Sequence, residues 1–195
     1  MEIVITSILA FVSTNIDDIF ILRLFFGNKE YKTKEIVIGQ YLGIVALIGI
    51  SLVCSLIGLL FDQKYIGFLG VLPVYFGIRD LFRLRSSLHA EQKEKVTIKE
   101  SNRTFTVAAV TFANGGDNIG IYIPLFATLL IHEKIGMILI FLIMVAIWCL
   151  AAMYISKYPF VGKVIKRFGH IIAPIVLIIL GIYILYDSGS FKLLL

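Results

Sequence analysis

Six stretches of this chain are long enough and apolar enough to cross a hydrocarbon core: approximately residues 3–26, 36–60, 65–82, 104–131, 135–155 and 170–187. A helix needs about 20 apolar residues to span a bilayer. In lipid every backbone polar group must be satisfied within the structure, so apolar runs of this length read as helices. The rest of the composition agrees, with 59% hydrophobic and 16% charged residues and a mean hydropathy of +0.95. A soluble domain carries about 25% charged residues. The expectation is an all-α integral membrane protein with six transmembrane helices. The first stretch reads as a span and not as a cleaved signal peptide, because Met1 and Glu2 replace a basic leader and Asp17 and Asp18 interrupt it. Spans three and six are short and interrupted, by Gly70, Pro73 and Gly77 and by Pro174 and Gly181.

The net charge of +5 does not point to nucleic acid, because of where the charge lies. With six spans, one side of the membrane receives the linkers 27–35, 83–103 and 156–169 and the end of span three. That side holds 14 Lys and Arg residues, against Lys64, Lys134 and Lys192 on the other, with Arg23 inside a span. Basic residues stay on the cytoplasmic face, so both termini are expected outside and the basic linkers inside. The longest linker, RSSLHAEQKEKVTIKESNR, has mixed charge and no periodic apolar face. It reads as a flexible connection whose positive charge anchors topology beside anionic lipid.

Shifting the sequence by 100 lays Thr14, Asp17, Asp18, Ile19 and Ile21 on Asn114, Asp117, Asn118, Ile119 and Ile121 without a gap. Weaker likenesses follow, GQYLGIVALIGISLV (39–53) with GMILIFLIMVAIWCL (136–150) and YFGI (75–78) with ILGI (179–182). The chain therefore divides into a three-helix repeat over 1–82, a basic cytoplasmic linker over 83–103 and a second three-helix repeat over 104–195, within one membrane domain. Three crossings per repeat reverse the sense of the second, which gives two inverted three-helix repeats. In transporters built this way the site lies near the midplane on interrupted helices. Gly115, Gly116, Gly120 and Pro124 surround Asp117 accordingly.

Carboxylates at membrane depth cost about 2.5–3.5 kcal/mol each on insertion scales, so function is their default reading. Residues three and four apart share a helix face. By that rule Thr14 stands beside Asp17 and Asp18, Asn15 beside Asp18, and Asn114 beside Asp117 and Asn118. If the two triads face each other, they offer three carboxylates, amide oxygens and a hydroxyl. Backbone carbonyls join them if Gly115–Gly116 unwinds the helix. Such an oxygen set suits a divalent cation. Three other readings stand beside it. Arg23 or Arg79 could neutralise the acids in purely structural ion pairs, although the second repeat has Ile123 where the first has Arg23. Asp17 and Asp117 could form an intramembrane aspartyl protease dyad, but the motif is GGDN where such enzymes carry GxGD. An exporter of amino acids or other small organic solutes could use the same scaffold. His89, His132 and His170 fall in linkers or at span ends. Trp148 and the many Tyr and Phe read as packing or lipid-facing residues. Cys54 and Cys149 read as small apolar residues, with metal ligation as the alternative. There is no CxxC, HExxH or phosphate-binding glycine loop, so ATP hydrolysis and soluble-type catalysis are not indicated.

TNIDDIFIL near the N-terminus and ANGGDNIGIYIPLF after the basic linker together resemble the cadmium-resistance transporters of the CadD type, within the LysE-like exporter superfamily. The resemblance covers essentially the whole chain. It implies export of a divalent metal across a bacterial cytoplasmic membrane, with Cd²⁺ as cargo and no resident cofactor. The ligands it implies are Asn15, Asp17 and Asp18 in the first motif and Asn114, Asp117 and Asn118 in the second. Oxygen donors by themselves favour harder ions such as Mn²⁺ over Cd²⁺, and Zn²⁺ stays open as well. Alternating access is expected, by rocking of one repeat against the other, with coupling to protons or to the membrane potential. The partners implied are the metal and the lipid bilayer, and a unit this small is compatible with a homodimer.

Overall fold

The computed structural model describes residues 2–58, 67–86 and 102–187. Most of the expected 83–103 linker, residues 59–66 and residues 188–195 lie outside the described residues, as does His89. The elements are α1 (Glu2–Asn15), α2 (Asp18–Gly27), α3 (Thr33–Gly58), a 3₁₀ turn (Gly67–Gly70) leading into α4 (Val71–Ser86), α5 (Arg103–Asn114), α6 (Gly116–Thr128), α7 (Ile131–Lys157) and α8 (Pro159–Asp187). No strand occurs among the described residues. By length and composition two helices can cross a membrane, α3 over Thr33–Leu56 and α7. The α1–α2 pair passes the same test as one span bent by 62°, and α8 contributes the shorter apolar stretch Ile171–Tyr186.

Two of the expected spans are broken near their middles. The first stops at Asn15 and resumes at Asp18, where the Asp17 carbonyl accepts from Phe20 N–H at 3.0 Å to start α2. The fourth stops at Asn114 and resumes at Gly116, with Gly115 between. The long helices that follow start alike. Glu35 accepts the Lys32 N–H at 2.8 Å before α3, and Glu133 accepts the Leu130 N–H at 2.8 Å before α7. Each carboxylate satisfies one N–H that a helix start leaves open and sits at the positive end of the helix dipole.

Packing crosses the two halves. Helix α3 lies along α5 and α6, α7 lies along α1 and α2, and α4 pairs with α8. The α3–α5 seam is close because Gly39 and Gly43 face it. A Cβ at Gly39 would stand 2.6 Å from the Thr104 carbonyl oxygen, and one at Gly43 2.6 Å from Thr111 Cβ. Small residues four apart let helix backbones approach in this way. The Tyr41 hydroxyl donates to the Leu142 carbonyl at 2.9 Å and ties α3 to α7. Beneath the breaks Phe11, Tyr122, Phe126, Phe141 and Trp148 form a buried aromatic core, with Phe11 edge-on to Trp148 at 5.4 Å and Tyr122 against Phe141 at 4.7 Å.

The outer face of α7 explains why this packing belongs in lipid. Ile135, Leu139, Ile143, Ile147, Leu150 and Tyr154 recur at helical spacing, and each is exposed, while Met137, Phe141, Val145, Trp148 and Ala152 on the other face are buried. A fully exposed side chain of this kind forfeits about 1.5–3 kcal/mol in water, a penalty that hydrocarbon removes.

Candidate functional site at the paired helix breaks

The polar residues of the two breaks meet each other. Asp18, in the first turn of α2, is buried, and both of its carboxylate oxygens accept from amides. Asn114 Nδ2, at the end of α5, donates to Oδ1 at 2.5 Å, and Gln40 Nε2, from α3, donates to Oδ2 at 3.3 Å. The Gln40 oxygen in turn accepts from the Thr111 hydroxyl at 2.5 Å. Thr111 and Asn114 are three apart on α5, so one face of that helix reaches both Gln40 and Asp18.

A second cluster is centred on the buried Tyr122 of α6. Its hydroxyl lies 3.1 Å from Thr14 Oγ1, accepts from Asn15 Nδ2 at 3.0 Å and accepts from Asn118 Nδ2 at 3.4 Å. Asn118 Nδ2 also donates to Asn15 Oδ1 at 3.0 Å. With its amide turned end for end, Asn118 would donate instead to the Thr14 carbonyl at 3.0 Å and to Asp117 Oδ1 at 3.2 Å. Thr14 Oγ1 also donates back to the Ala10 carbonyl at 3.0 Å. The Asn15 carbonyl, left without an intrahelical partner by the break, accepts from the Trp148 indole N–H at 2.6 Å. Asp117 lies in the first turn of α6, half-buried, with Oδ1 accepting the Asn118 N–H at 3.0 Å. Asp17 lies in the turn between α1 and α2 and is exposed.

The electrostatics follow from these positions. Two short helices begin at the breaks, and each carries an acid in its first turn, where the positive end of the helix dipole favours negative charge. Two others, α1 and α5, end there. The bonds Asn114–Asp18 and Asn118–Asn15 cross between the halves over 96 and 103 residues of sequence. Arrays of this kind, with acids, amides and half-helix ends at one depth, are found in transporters that bind their cargo at interrupted helices.

The model of the cadmium resistance transporter family matches residues 11–195, nearly the whole chain and both breaks. The chain belongs to that family. No curated protein and no solved structure matches it. The family is one of transporters, and the apolar helices are those of a membrane protein.

Within this member of the cadmium resistance transporter family, several sequence expectations change. The shared-face argument for Thr14, Asn15 and Asp18, and for Asn114, Asp117 and Asn118, assumed unbroken helices. Across the breaks Asp18 is bonded by Asn114 and Asn118 donates to Asn15, so these partners come from the opposite half. Among the described residues no three His, Cys, Asp or Glu side chains gather as a cation site, so the three aspartates do not form a ready-made cage. Cys54 is half-buried and Cys149 buried, both as free thiols. Arg79 pairs with its neighbour Asp80 at 3.0 Å and lies 4.8 Å over the Phe76 ring, which occupies it away from Asp18. Trp148 and Tyr122 are not merely packing residues. Gln40, Thr111, Tyr122 and Trp148 belong to the site and were missed. The signal for Gln40 was present, since it is the one amide between Glu35 and Gly58 in an otherwise apolar run.

Proposed function

We propose that this protein exports divalent metal cations from the cytoplasm, with Cd²⁺ as the first candidate cargo and Mn²⁺ and Zn²⁺ behind it. The observation that carries the reading is the meeting of the two breaks, which brings Asp18 and Asp117 on half-helix N-termini together with Asn15, Asn114 and Asn118. The cargo would bind there, with Asp17 and Thr14 at the margin of the site, and reach either side by alternating access. Carboxylate oxygens are anionic ligands for a cation, and Asn side chains can turn an oxygen toward it. The proposed setting is a bacterial cytoplasmic membrane crossed six times, as two inverted repeats with termini outside. The matching breaks and the matching Glu35 and Glu133 helix starts support that arrangement. Metal and protons compete for the same oxygens, which makes proton exchange the proposed coupling.

The test is flux of ¹⁰⁹Cd²⁺ and ⁵⁴Mn²⁺ in proteoliposomes, wild type beside Asp117→Asn, with and without an imposed pH gradient. Cation flux that is lost in the variant supports the reading, and the faster ion names the cargo. Well-folded wild type that moves neither ion overturns it and directs the search to organic solutes.

A further inference from the structure

Asp18 is the most enclosed acid of the site, and its two amide partners are not equivalent. Asn114 is exposed on its outer side, so its amide can rotate and present oxygen. Gln40 is fully buried, and its Oε1 accepts from the Thr111 hydroxyl at 2.5 Å while its Nε2 donates to Asp18 Oδ2 at 3.3 Å, a pair of bonds that favours this orientation of the amide. In this orientation Gln40 turns its N–H to Asp18. A cation approaching Oδ2 therefore meets a hydrogen-bond donor, whereas Asn114 can offer an oxygen.

We propose that Gln40, oriented by Thr111, is a positioning residue that competes with the cargo cation for Asp18 and so sets affinity against release. This rests on the metal-export reading above. In the empty site the Gln40 N–H stabilises the carboxylate; when the cation binds, that contact is lost or weakened. When the cation leaves, the N–H returns to Oδ2, which lowers the cost of leaving Asp18 buried without its ion. The competitor comes from α3 of the first half and its lock from α5 of the second, so the balance depends on the α3–α5 seam staying closed.

The experiment compares wild type, Gln40→Leu, Thr111→Val and Thr111→Ser in the same Cd²⁺ and Mn²⁺ flux assay, with equilibrium binding of each ion to the purified protein as a second readout. Hydrogen bonds to charged groups are strong enough that losing the Gln40 donor should lower KM and Kd on the order of tenfold, with a lower maximal rate because release slows. Thr111→Val keeps the side-chain shape and frees the Gln40 amide to turn. It should lower both constants by about threefold, and Thr111→Ser should restore wild-type values. If Gln40→Leu does not fold, the Thr111 pair decides the matter alone. Unchanged constants with reduced rates would make Gln40 merely structural, and raised constants would make it a ligand; either overturns the proposal while leaving metal export intact. Wild type that neither binds nor moves either ion removes both readings together.

Discussion

Asn114 and Asp18 are 96 residues apart in sequence, and the amide of one donates to the carboxylate of the other at 2.5 Å. Each stands at the end of a half-helix, Asn114 closing α5 and Asp18 opening α2. This bond joins the two interruptions, as Asn118 to Asn15 does beside it.

Replacing Asn114 with Ala removes that donor and a side-chain oxygen that the cation can use. Cd²⁺ flux should fall about tenfold or more, through a raised KM. This is opposite in direction to the change expected for Gln40→Leu. Concentration-dependent flux on reconstituted protein checks it, and an unchanged KM would remove Asn114 from the proposed ligands.

Trp148 is the one tryptophan of the chain, and its indole holds the carbonyl at the α1 break. Cation binding between the breaks should therefore change its emission, saturably and with the affinity seen in flux. A fluorescence titration with Cd²⁺ and with Mn²⁺ reads this directly. Asp117→Asn should abolish the response while keeping the resting spectrum, and a response that survives in that variant would place binding elsewhere.

Gly43→Ala forces a methyl into the α3–α5 seam, where it would meet Thr111 Cβ at 2.6 Å. Overpacking of this kind costs about 1–3 kcal/mol, and here it also displaces the hydroxyl that orients Gln40. Lower thermal stability in detergent and loss of flux should come together. Gly49→Ala is the control, since nothing lies within 4 Å of its added carbon. Equal behaviour of the two variants would argue against the seam.

Tyr31, in the turn between α2 and α3, buries its hydroxyl with no hydrogen-bond partner among the described residues. Burial pushes the phenol above its ordinary value of 10.0, and the Arg103 charge partly opposes that shift. The folded state then holds the proton more tightly than the unfolded state. The contribution is complete below about pH 10 and is lost as pH climbs through the raised folded value. Tyr31→Phe should be neutral or slightly stabilising at pH 7 and should blunt alkaline unfolding, as thermal melts at pH 7 and pH 11 would show. A destabilised variant at pH 7 would mean that the hydroxyl has a partner.

The helices themselves were legible because apolar runs leave few alternatives in lipid, and the boundaries of α3 and α7 differ from expectation by only a few residues. The break at Gly115 was legible too, since paired glycines weaken a helix. The break at Ile16 and Asp17 was not: Asn15-Ile16-Asp17-Asp18 is compatible with continuous helix, and only packing across the halves reveals the 62° bend. Tyr122 and Trp148 were hidden because an aromatic ring in a membrane helix packs in either case. Only the partner of its polar atom distinguishes a wall from a bracket, and that partner lies more than a hundred residues away.

The exchange of long helices between the halves decides what can move. Because α3 is seated on α5 and α6, and α7 on α1 and α2, the two halves of the chain are laced through one another like crossed fingers. Pulling them apart as two sequence blocks would open both seams at once, including the tight one at Gly39 and Gly43. Under the proposed alternating access, the units expected to shift as wholes are therefore chimeric, each a broken helix pair from one half of the chain with the long helix of the other. The bonds between the breaks, Asn114 to Asp18 and Asn118 to Asn15, clasp those two units together, beside Gln40 to Asp18 and Tyr41 to Leu142. A cargo ion that replaces those bonds would loosen the latch of its own gate.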